Sequence, residues 1–431
     1  MHTPGETRDM NDLIADCVHC GFCLPACPTY RSWGNEMDSP RGRIDLMKGL
    51  QEGAIALDAT VTEHFDRCLG CMGCVTACPS GVRYDLLIEA QRAKLEPLAR
   101  RTPFDRFFRS MIFALFPYPG RLRVLAIPLS LYAKSGLQSV VRRSGLLERL
   151  PARLRQLEAL APPVTLRDTE PSLPALTRAT TPATRGRVAL VAGCVQRTFF
   201  PNVNAATIRV LAAEGYDVVV PQGQGCCGAL SLHSGRDIEA KRFARALIER
   251  FEHERFDAII INAAGCGSTL KQYGELFADD PAFRERAEAF ALRVRDINEF
   301  LGGVEPLAVR HPIHKRVAYH DACHLAHAQR IREQPRALLA SIPGLLLLEV
   351  PDGDQCCGSA GTYNLFEPES AREIGERKVD NVLSVSPDLI ASANSGCALQ
   401  MQSILRSRGA ALPAAHPIEI IDASISGRDI C

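Results

Sequence analysis

The stretch Gly223-Gln-Gly-Cys-Cys-Gly228 follows a run of three valines, Val218 to Val220, that is typical of a buried strand. Its glycines fit the G-x-G-x-x-G pattern, with which a dinucleotide-binding turn holds a pyrophosphate. Its two adjacent cysteines favour a different structure, a metal site in a glycine-rich loop. The choice decides whether the chain binds its own nicotinamide or flavin.

A second copy of this stretch, Asp352-Gly-Asp-Gln-Cys-Cys-Gly358, resolves the choice. The two copies share only Cys-Cys-Gly, and Gly223 and Gly225 have no consistent counterparts in the second. A dinucleotide turn also needs an acidic residue at the end of the next strand. Glu249 lies at about the right distance, but within a helical pattern. We therefore predict two metal sites and neither flavin nor NAD on this chain.

The repeat extends well beyond the cysteine pair, because matching cysteines recur at offsets of 129, 130 and 131 residues. Strands alternate with helices in both copies, which predicts a duplicated α/β domain with parallel sheets, over residues 186–312 and 313–431. The carboxyl ends of parallel strands share one edge, so the four thiols of each copy are expected to converge on a soft metal. These thiols belong to Cys194, Cys226, Cys227 and Cys266 in the first copy, and to Cys323, Cys356, Cys357 and Cys397 in the second.

Other polar groups flank the second set of cysteines and are candidate supplementary ligands: His320, Asp321 and His324. Near Cys194 the first copy has Ala192 and Val195 instead. Each Cys-Cys-Gly glycine is expected to let the backbone come close to the metal. The alternative is that all of these cysteines are small buried residues without a ligand.

The first hundred residues contain the run C-x2-C-x2-C-x3-C-P twice, which is the spacing of ferredoxin-type 4Fe–4S sites. Zinc is the alternative, but its cysteine pairs are usually farther apart. In two-cluster ferredoxins the fourth cysteine of each run binds the other cluster. We therefore predict an α-helical, ferredoxin-like two-cluster module over residues 1–100. One cluster is expected on Cys17, Cys20, Cys23 and Cys78, and the other on Cys68, Cys71, Cys74 and Cys27.

Residues 101–185 contain no cysteine and are predicted to form a helical segment and a linker, the linker beginning at residue 162. Apolar residues recur with helical spacing from Phe104 to Phe116, with Arg106 and Arg109 off the stripe. A second apolar piece runs from Leu122 to Leu137, before the basic pair Arg142 and Arg143. These helices either dock on the chain's own domains or form a docking face for a partner or a membrane surface.

Composition narrows the class of protein. A chain of 431 residues is expected to contain two to four domains, and its net charge of +1 gives no reason to expect nucleic acid as a partner. The start, MHTPGETRDMNDL, is not a secretory signal, and no apolar run reaches the length of a membrane span. We expect a cytoplasmic chain that could also lie on the inner face of the plasma membrane as a peripheral protein, and whose seventeen cysteines form no disulfide framework. Cys431 is expected to be a bystander thiol.

Two ferredoxin runs followed by two cysteine-rich CCG domains resemble the iron–sulfur subunit of glycolate oxidase (glycolate dehydrogenase). The stretches Gly265-Cys-Gly-Ser-Thr-Leu-Lys271 and Asn394-Ser-Gly-Cys-Ala-Leu-Gln400 are most similar to that family. The CCG unit is shared with the heterodisulfide reductase B subunit, the anaerobic glycerol-3-phosphate dehydrogenase C subunit and lactate-utilisation proteins. The wider CCG pattern ends in C-x-x-C, but here Ala263 and Asn394 replace its first cysteine, so each copy has one thiol fewer.

This resemblance implies an electron-transfer subunit of an oxidoreductase complex, with no catalytic residues of its own. FAD-binding partner subunits would oxidise glycolate to glyoxylate, and the clusters here would pass the electrons toward a quinone or another acceptor. Alternative functions are the equivalent subunit of a D-lactate or anaerobic glycerol-3-phosphate dehydrogenase, and a heterodisulfide-reductase-like CCG redox protein. A metal-binding scaffold without redox activity is a further alternative.

Overall fold

The computed structural model describes residues 9–161 and 173–430. The first part of the predicted linker, residues 162–172, and Cys431 lie outside the described residues. Every described cysteine is a free thiol, as expected for a chain whose cysteines bind metal.

Short helices build the N-terminal module, and proline at the first turn of two of them fixes where they start. Ser39 caps the third helix by accepting a hydrogen bond of 3.0 Å from the Gly42 amide. Met47, Leu87 and Ile88 are fully buried in the core of the module. The α-helices are α1 (Met10–Ala15), α2 (Pro28–Trp33), α3 (Pro40–Gln51), α4 (Ala59–Asp66), α5 (Gly73–Ala77) and α6 (Tyr84–Leu95), with a 3-10 turn at Glu36–Asp38.

The predicted helical segment consists of α7 (Pro103–Leu115), α8 (Pro119–Lys134), α9 (Leu137–Arg143) and α10 (Ala152–Ala159), with a 3-10 turn at Leu146–Arg149. On α7, Phe108 and Ile112 are buried against Phe366 of the second copy, whereas Phe104 and Phe107 at the edge of the predicted stripe are exposed. Arg109 is buried instead, because it pairs with Asp105 one turn away at 3.3 Å. The segment therefore docks on the chain's own domains.

The first cysteine-rich copy is an α/β domain around a five-stranded sheet of order β1-β3-β2-β4-β5. All neighbouring strands are parallel except β1, which pairs antiparallel with β3 and lies in the range predicted as linker. The elements are β1 (Leu176–Thr177), β2 (Gly186–Leu190), α11 (Val195–Phe199), α12 (Pro201–Ala213), β3 (Tyr216–Val219), α13 (Ala229–Leu232), α14 (Asp237–Phe251), β4 (Ala258–Ile261), α15 (Ala264–Lys271), α16 (Tyr273–Leu276), α17 (Arg284–Ala291), β5 (Val294–Asp296) and α18 (Ile297–Gly302).

The second copy has a four-stranded, fully parallel sheet of order β7-β6-β8-β9, so the prediction of duplicated parallel sheets is confirmed. Its elements are β6 (Arg316–His320), a π-helix (His324–Ala328), α19 (Glu333–Ala340), β7 (Leu346–Leu348), α20 (Tyr363–Phe366), α21 (Pro368–Ser384), β8 (Leu389–Ser392), α22 (Ser395–Ser407), β9 (Ala414–Ala415) and α23 (Pro417–Ser426).

The second sheet differs from the first at one edge. From its sequence, the leucine run at residues 345–348 predicts a buried strand, but this prediction is wrong, because β7 is the edge of its sheet and Leu346 is 54% exposed. Its counterpart β3 is fully buried because β1 covers it. The copies nevertheless share one apolar core, and Arg209 of α12 joins them by a bidentate ion pair to Asp422 of α23, at 2.9 and 2.7 Å.

Among the described residues, none of the helices alone has the length and apolar character needed to cross a membrane. Helices α7 and α8 together have both properties, but they are bent by 105° at the break between them.

Candidate iron–sulfur and cysteine sites

The N-terminal module brings its eight cysteines together in two groups, each around a small cavity. The fourth cysteine of each run lies on the cavity of the other run. The groups are Cys17, Cys20, Cys23 and Cys78 around one cavity, and Cys27, Cys68, Cys71 and Cys74 around the other. Cys74 also borders the first cavity, so the two groups are neighbours.

Positive charge surrounds the second of these groups. Arg43 is only 1% exposed, donates a 2.6 Å hydrogen bond to the carbonyl of His64 and pairs with Asp38 at 3.3 Å. Burial acts to raise the pKa of the Cys68 thiol, but the charges of Arg43 and Arg92 outweigh it, so the pKa lies below its usual value. The site therefore favours a thiolate at Cys68, the form that binds metal.

In the first cysteine-rich copy, the four predicted thiols converge at the carboxyl edge of the sheet. Cys194 follows β2, the pair Cys226-Cys227 follows β3, and Cys266 lies in the first turn of α15, which follows β4. The sulfurs of Cys194 and Cys226 are 3.5 Å apart. Hydrogen bonds from Cys226 and Cys266 lower the pKa of Cys227 well below its usual value. The group is thus already arranged around one thiolate.

The second copy repeats this arrangement with Cys323, Cys356, Cys357 and Cys397. Hydrogen bonds from Cys356 and Cys397 lower the pKa of Cys357, the counterpart of Cys227. All four cysteines are buried. Asn394, which replaces a cysteine of the wider pattern, donates a 3.3 Å hydrogen bond to the Cys397 sulfur. The replaced position therefore still contacts the site, through an amide.

The glycine of each Cys-Cys-Gly makes a close approach, but to a helix. Gly228 has a φ of +85°, and a Cβ there would lie 3.0 Å from the carbonyl oxygen of Ala240 on α14. Gly358 has a φ of +83°, and its Cβ would lie 2.3 Å from the carbonyl oxygen of Ala371 on α21. Only glycine lets the thiol loop turn in this way and pack against its helix.

Of the three candidate supplementary ligands in the second copy, the structure aims only His320 at the thiols. It is 2% exposed, one of its ring nitrogens lies within 4.8 Å of the Cys357 and Cys397 sulfurs, and its interaction with Cys357 helps to lower the pKa of that thiol. Asp321 instead forms a bidentate ion pair with Arg336, with both contacts at 2.7 Å. In the first copy the position of His320 is Val191.

His324, the third candidate, is committed elsewhere. Its Nε2 is 2.9 Å from the carbonyl oxygen of Gly70 in the N-terminal module, and its Nδ1 is 2.8 Å from the hydroxyl of Ser268 in the first copy. Burial lowers the pKa of His324 to about 3, so the ring is neutral at physiological pH. Through these hydrogen bonds, His324 connects the second copy to the N-terminal module and to the first copy.

The N-terminal module lies directly against the second cysteine site. Cys71 packs in one apolar cluster with Cys323 and Cys356, together with Leu69 and Tyr363. The neighbouring charge of Cys323 is one cause, after burial, of the raised pKa of Cys71. The second cluster site and the second cysteine-rich site are therefore adjacent, as successive centres of an electron relay must be.

Both cysteine-rich sites open onto one cavity of about 560 Å³, which was not predicted. Its inner wall contains thiols of both copies and Cys68 of the module, and its outer wall is formed by leucines of α7, α8 and α10. His233 and His324 meet edge to face inside it, with ring centroids 4.9 Å apart. Spacing alone could not reveal it, because its walls come from four separate parts of the chain.

The chain matches three protein families along its length. Residues 14–82 match the 4Fe-4S dicluster domain, residues 188–271 and 317–402 match the cysteine-rich CCG domain, and residues 104–161 match the linker region of the glycolate oxidase iron–sulfur subunit. The chain is therefore an iron–sulfur protein with two CCG domains. The helical segment itself carries the most specific of the three matches.

Relatives that match nearly the whole chain support the same family. The chain is 40% identical to the probable glycolate oxidase iron–sulfur subunit of Bacillus subtilis over 94% of its own length and 91% of that protein, and 34% identical to the glycolate oxidase iron–sulfur subunit of Escherichia coli over 99% and 97%. It is 30% identical to lactate utilization protein A of Shouchella clausii over 54% of its length and 98% of that protein. A hypothetical protein from Helicobacter pylori has a related fold, with a TM-score of 0.53 at 9% identity over 98% of this chain and 73% of that one.

Proposed function

The chain belongs to the family of glycolate oxidase iron–sulfur subunits, and we propose that it relays electrons from glycolate oxidation within such a complex. The observation that carries this proposal is the contiguity of its thiol sites. The two four-cysteine cavities of the module are neighbours, and Cys71 of the second packs against Cys323 of the next site. A continuous series of metal sites is what an electron relay requires.

The donor sets of the module fit cubane iron–sulfur clusters, since the two cavities are lined by the eight cysteines of the module and, among the described residues, by no acidic side chain. One cluster would be held by Cys17, Cys20, Cys23 and Cys78, and the other by Cys27, Cys68, Cys71 and Cys74. When bound, each cluster accepts and releases one electron. The buried charge of Arg43 beside Cys68 favours the more negative, reduced state of the second cluster.

The two cysteine-rich sites would bind further iron–sulfur clusters or another soft metal through their four thiols each. In the second site His320 would add a nitrogen ligand, because it is buried and a ring nitrogen lies beside the Cys357 and Cys397 sulfurs. The first site would have to use its thiols alone or with a non-protein ligand, since Val191 occupies the position of His320.

The oxidation of glycolate to glyoxylate would take place on partner subunits that bind FAD, because the chemistry of hydride removal belongs to such a cofactor. The relay would deliver the electrons to a quinone or another membrane acceptor. The exposed apolar residues of α8, among them Val124 and Leu131, suit a peripheral position on the inner face of the membrane.

A D-lactate or glycerol-3-phosphate dehydrogenase subunit is the second candidate. Its support is weaker, because the lactate utilization protein matches only 54% of this chain, whereas the glycolate oxidase subunits match nearly all of it. The helical segment that lies between the module and the CCG domains also matches the glycolate oxidase linker.

The test is to isolate the complex with its flavoprotein partners anaerobically and record cluster EPR after adding each substrate. We expect glycolate to reduce the clusters, while D-lactate and glycerol 3-phosphate leave them oxidised. Reduction by one of the other substrates alone would move the chain to that enzyme. Clusters that dithionite reduces but none of the three substrates reduces would contradict the proposal.

A further inference from the structure

The cavity between the two cysteine-rich sites has the size and lining of a ligand site. Its volume of about 560 Å³ lies within the range of about 300–1,000 Å³ that is typical of pockets for small organic ligands. The thiols of both sites lie at its inner end, so this volume includes the space of any metal centre on them. The remainder extends outward between Ile112 and Leu115 of α7, Leu122 and Leu129 of α8, and Leu157 of α10.

The inner end of the cavity is where electrons would arrive. Cys194, Cys226 and Cys266 of the first site face it from one side, and Cys323 and Cys397 of the second site from the other. A ligand held here would be within reach of two separate one-electron centres. Two such centres suit an acceptor that takes up two electrons.

A polar group inside the cavity has no partner. Gln196 lies two residues after Cys194 at the start of α11, is 4% exposed, and lines the cavity. Neither its amide nitrogen nor its amide oxygen is hydrogen-bonded to any described residue. A buried amide without a partner costs free energy, so a ligand that supplies a carbonyl or hydroxyl would recover that cost.

The cavity opens beside an apolar surface. Leu122, Leu125 and Leu129 on one face of α8 line the cavity, and Leu125 is 41% exposed at its mouth. The opposite face of α8 presents Val124 and Leu131 to solvent, at 69% and 59% exposure. A ligand with a long apolar tail could therefore pass from a lipid surface along α8 into the cavity.

We propose that this cavity is the binding site of a lipid-soluble quinone, with its ring between the two cysteine sites and its tail along α8. The proposal rests on the electron-relay function proposed above and names the acceptor site. Reduction would take two electrons, one from each adjacent centre, and two protons from water at the mouth, and would give the quinol. Gln196 would hydrogen-bond one quinone oxygen.

The lining disfavours a small anionic acceptor, such as a thiol-derived disulfide that carries carboxylates. Two of the three arginines of the cavity wall are already paired with carboxylates, Arg101 with Asp66 and Glu96, and Arg109 with Asp105. The third, Arg92, donates to the backbone carbonyls of His233 and Cys68. A carboxylate would have to displace these contacts in a largely apolar cavity, at a large desolvation cost.

The test bypasses the flavoprotein. The purified holoprotein, reduced anaerobically with dithionite, is mixed with decylubiquinone, and the return of oxidised-cluster absorbance is followed by stopped flow. We expect a rate that saturates with quinone concentration. Leu125→Trp, which narrows the mouth, should raise the half-saturating concentration by about tenfold or more, and Gln196→Leu should do so by a smaller factor.

Val124→Trp is the matched control, since it adds the same ring to the adjacent residue on the outer face of α8 and should leave the rate unchanged. Equal effects of Trp at 124 and 125 together with no effect of Gln196→Leu, or a rate that never saturates, would overturn the proposal. So would reoxidation by a low-molecular-weight disulfide but not by the quinone. Because dithionite supplies the electrons, a wrong substrate assignment would not affect the result.

Discussion

The two cysteine-rich copies hold the same four thiols on the same kind of sheet, but they surround them differently. The second site contains His320 and is flanked by the Asp321–Arg336 ion pair. The first site has Val191 and Ala192 at these positions. The second site lies against the N-terminal module, whereas the first faces it across the shared cavity.

This difference predicts that the two copies have different roles in electron transfer. The features common to both, the thiols and the Gly228 and Gly358 turns, are those that build a metal site. The features that differ determine which side chains, and which other part of the chain, lie beside each metal site. His324 joins the second copy to Gly70 of the module, and Val195 at the same position of the first copy cannot make this bond. The second site is therefore expected to receive electrons first.

The largest expected effect comes from removing the central thiol of each site separately. Cys357→Ser should abolish the reduction of the first site by glycolate and lower turnover by about a hundredfold, because a hydroxyl is a poor ligand for a soft metal. Cys227→Ser should leave the second site reducible. Cluster EPR of the glycolate-treated complex, with iron and sulfide analysis, measures both.

Iron content provides the control for this pair. Each variant should lose only the metal of its own site and keep the EPR signals of the module. The order of the relay would be wrong if the first site were still reduced by glycolate in Cys357→Ser, or if Cys227→Ser prevented reduction of the second site.

A smaller effect is expected from His320, the ligand that only the second site has. His320→Ala should remove the nitrogen hyperfine coupling from that site's EPR spectrum, and should lower its retention of metal against a chelator by about tenfold. The first site, which has no such nitrogen, should be unaffected. Pulsed EPR of the dithionite-reduced protein makes the measurement without glycolate or partner subunits.

His253→Ala is the matched control, because His253 is exposed and lies just after the end of α14, outside both cysteine sites. Val191→His is the reciprocal variant and tests whether the first site accepts the same ligand. A nitrogen coupling that survives in His320→Ala would show that another group, and not His320, binds the metal.

The sequence was sufficient to predict what depends on spacing within one copy. The offsets of the cysteines predicted the duplicated parallel sheets, and alternation of strand and helix brought each set of thiols to one edge. It could not select among His320, Asp321 and His324, because the choice depends on distant partners. Arg336 engages Asp321, and Gly70 engages His324.

The exposure of β7 and the presence of the shared cavity could not be predicted from the sequence, for a related reason. A run of leucines is equally compatible with a central strand and with an edge strand. Strand β3 is central because the antiparallel strand β1 pairs with it, whereas β7 has no such neighbour among the described residues. The cavity is enclosed when helices from residues 103–159 cover the edges of two sheets, whose strands are spread over residues 176–415. No local pattern contains that information.

The smallest expected effect concerns the helix that follows the last strand of each sheet, because the copies cap it with groups of opposite chemistry. Asp296 caps α18 and His416 caps α23, each in a capping box, and both are buried. Burial raises the pKa of Asp296 to about 6 and lowers the pKa of His416 to about 3. Burial thus favours the neutral form of both caps, and because one is an acid and the other a base, this gives their pH dependences opposite signs.

Asp296 binds its proton more tightly in the folded state, so its contribution to stability is complete below about pH 4 and is lost as the pH rises through about 6. His416 binds its proton less tightly when folded, so its contribution is complete above about pH 6.5 and is lost as the pH falls toward 3. Each contributes at most about 1.4 kcal/mol per pH unit to the free energy of unfolding.

Calorimetric unfolding of the holoprotein between pH 5 and 8 can separate the two caps. Asp296→Asn should raise the unfolding temperature relative to wild type more at pH 8 than at pH 5, because asparagine caps without a buried charge. His416→Asn should show the reverse trend, with its advantage growing toward pH 5. The two differences should slope in opposite directions, and parallel slopes would mean that the pKa of at least one of these caps is not shifted in the stated direction.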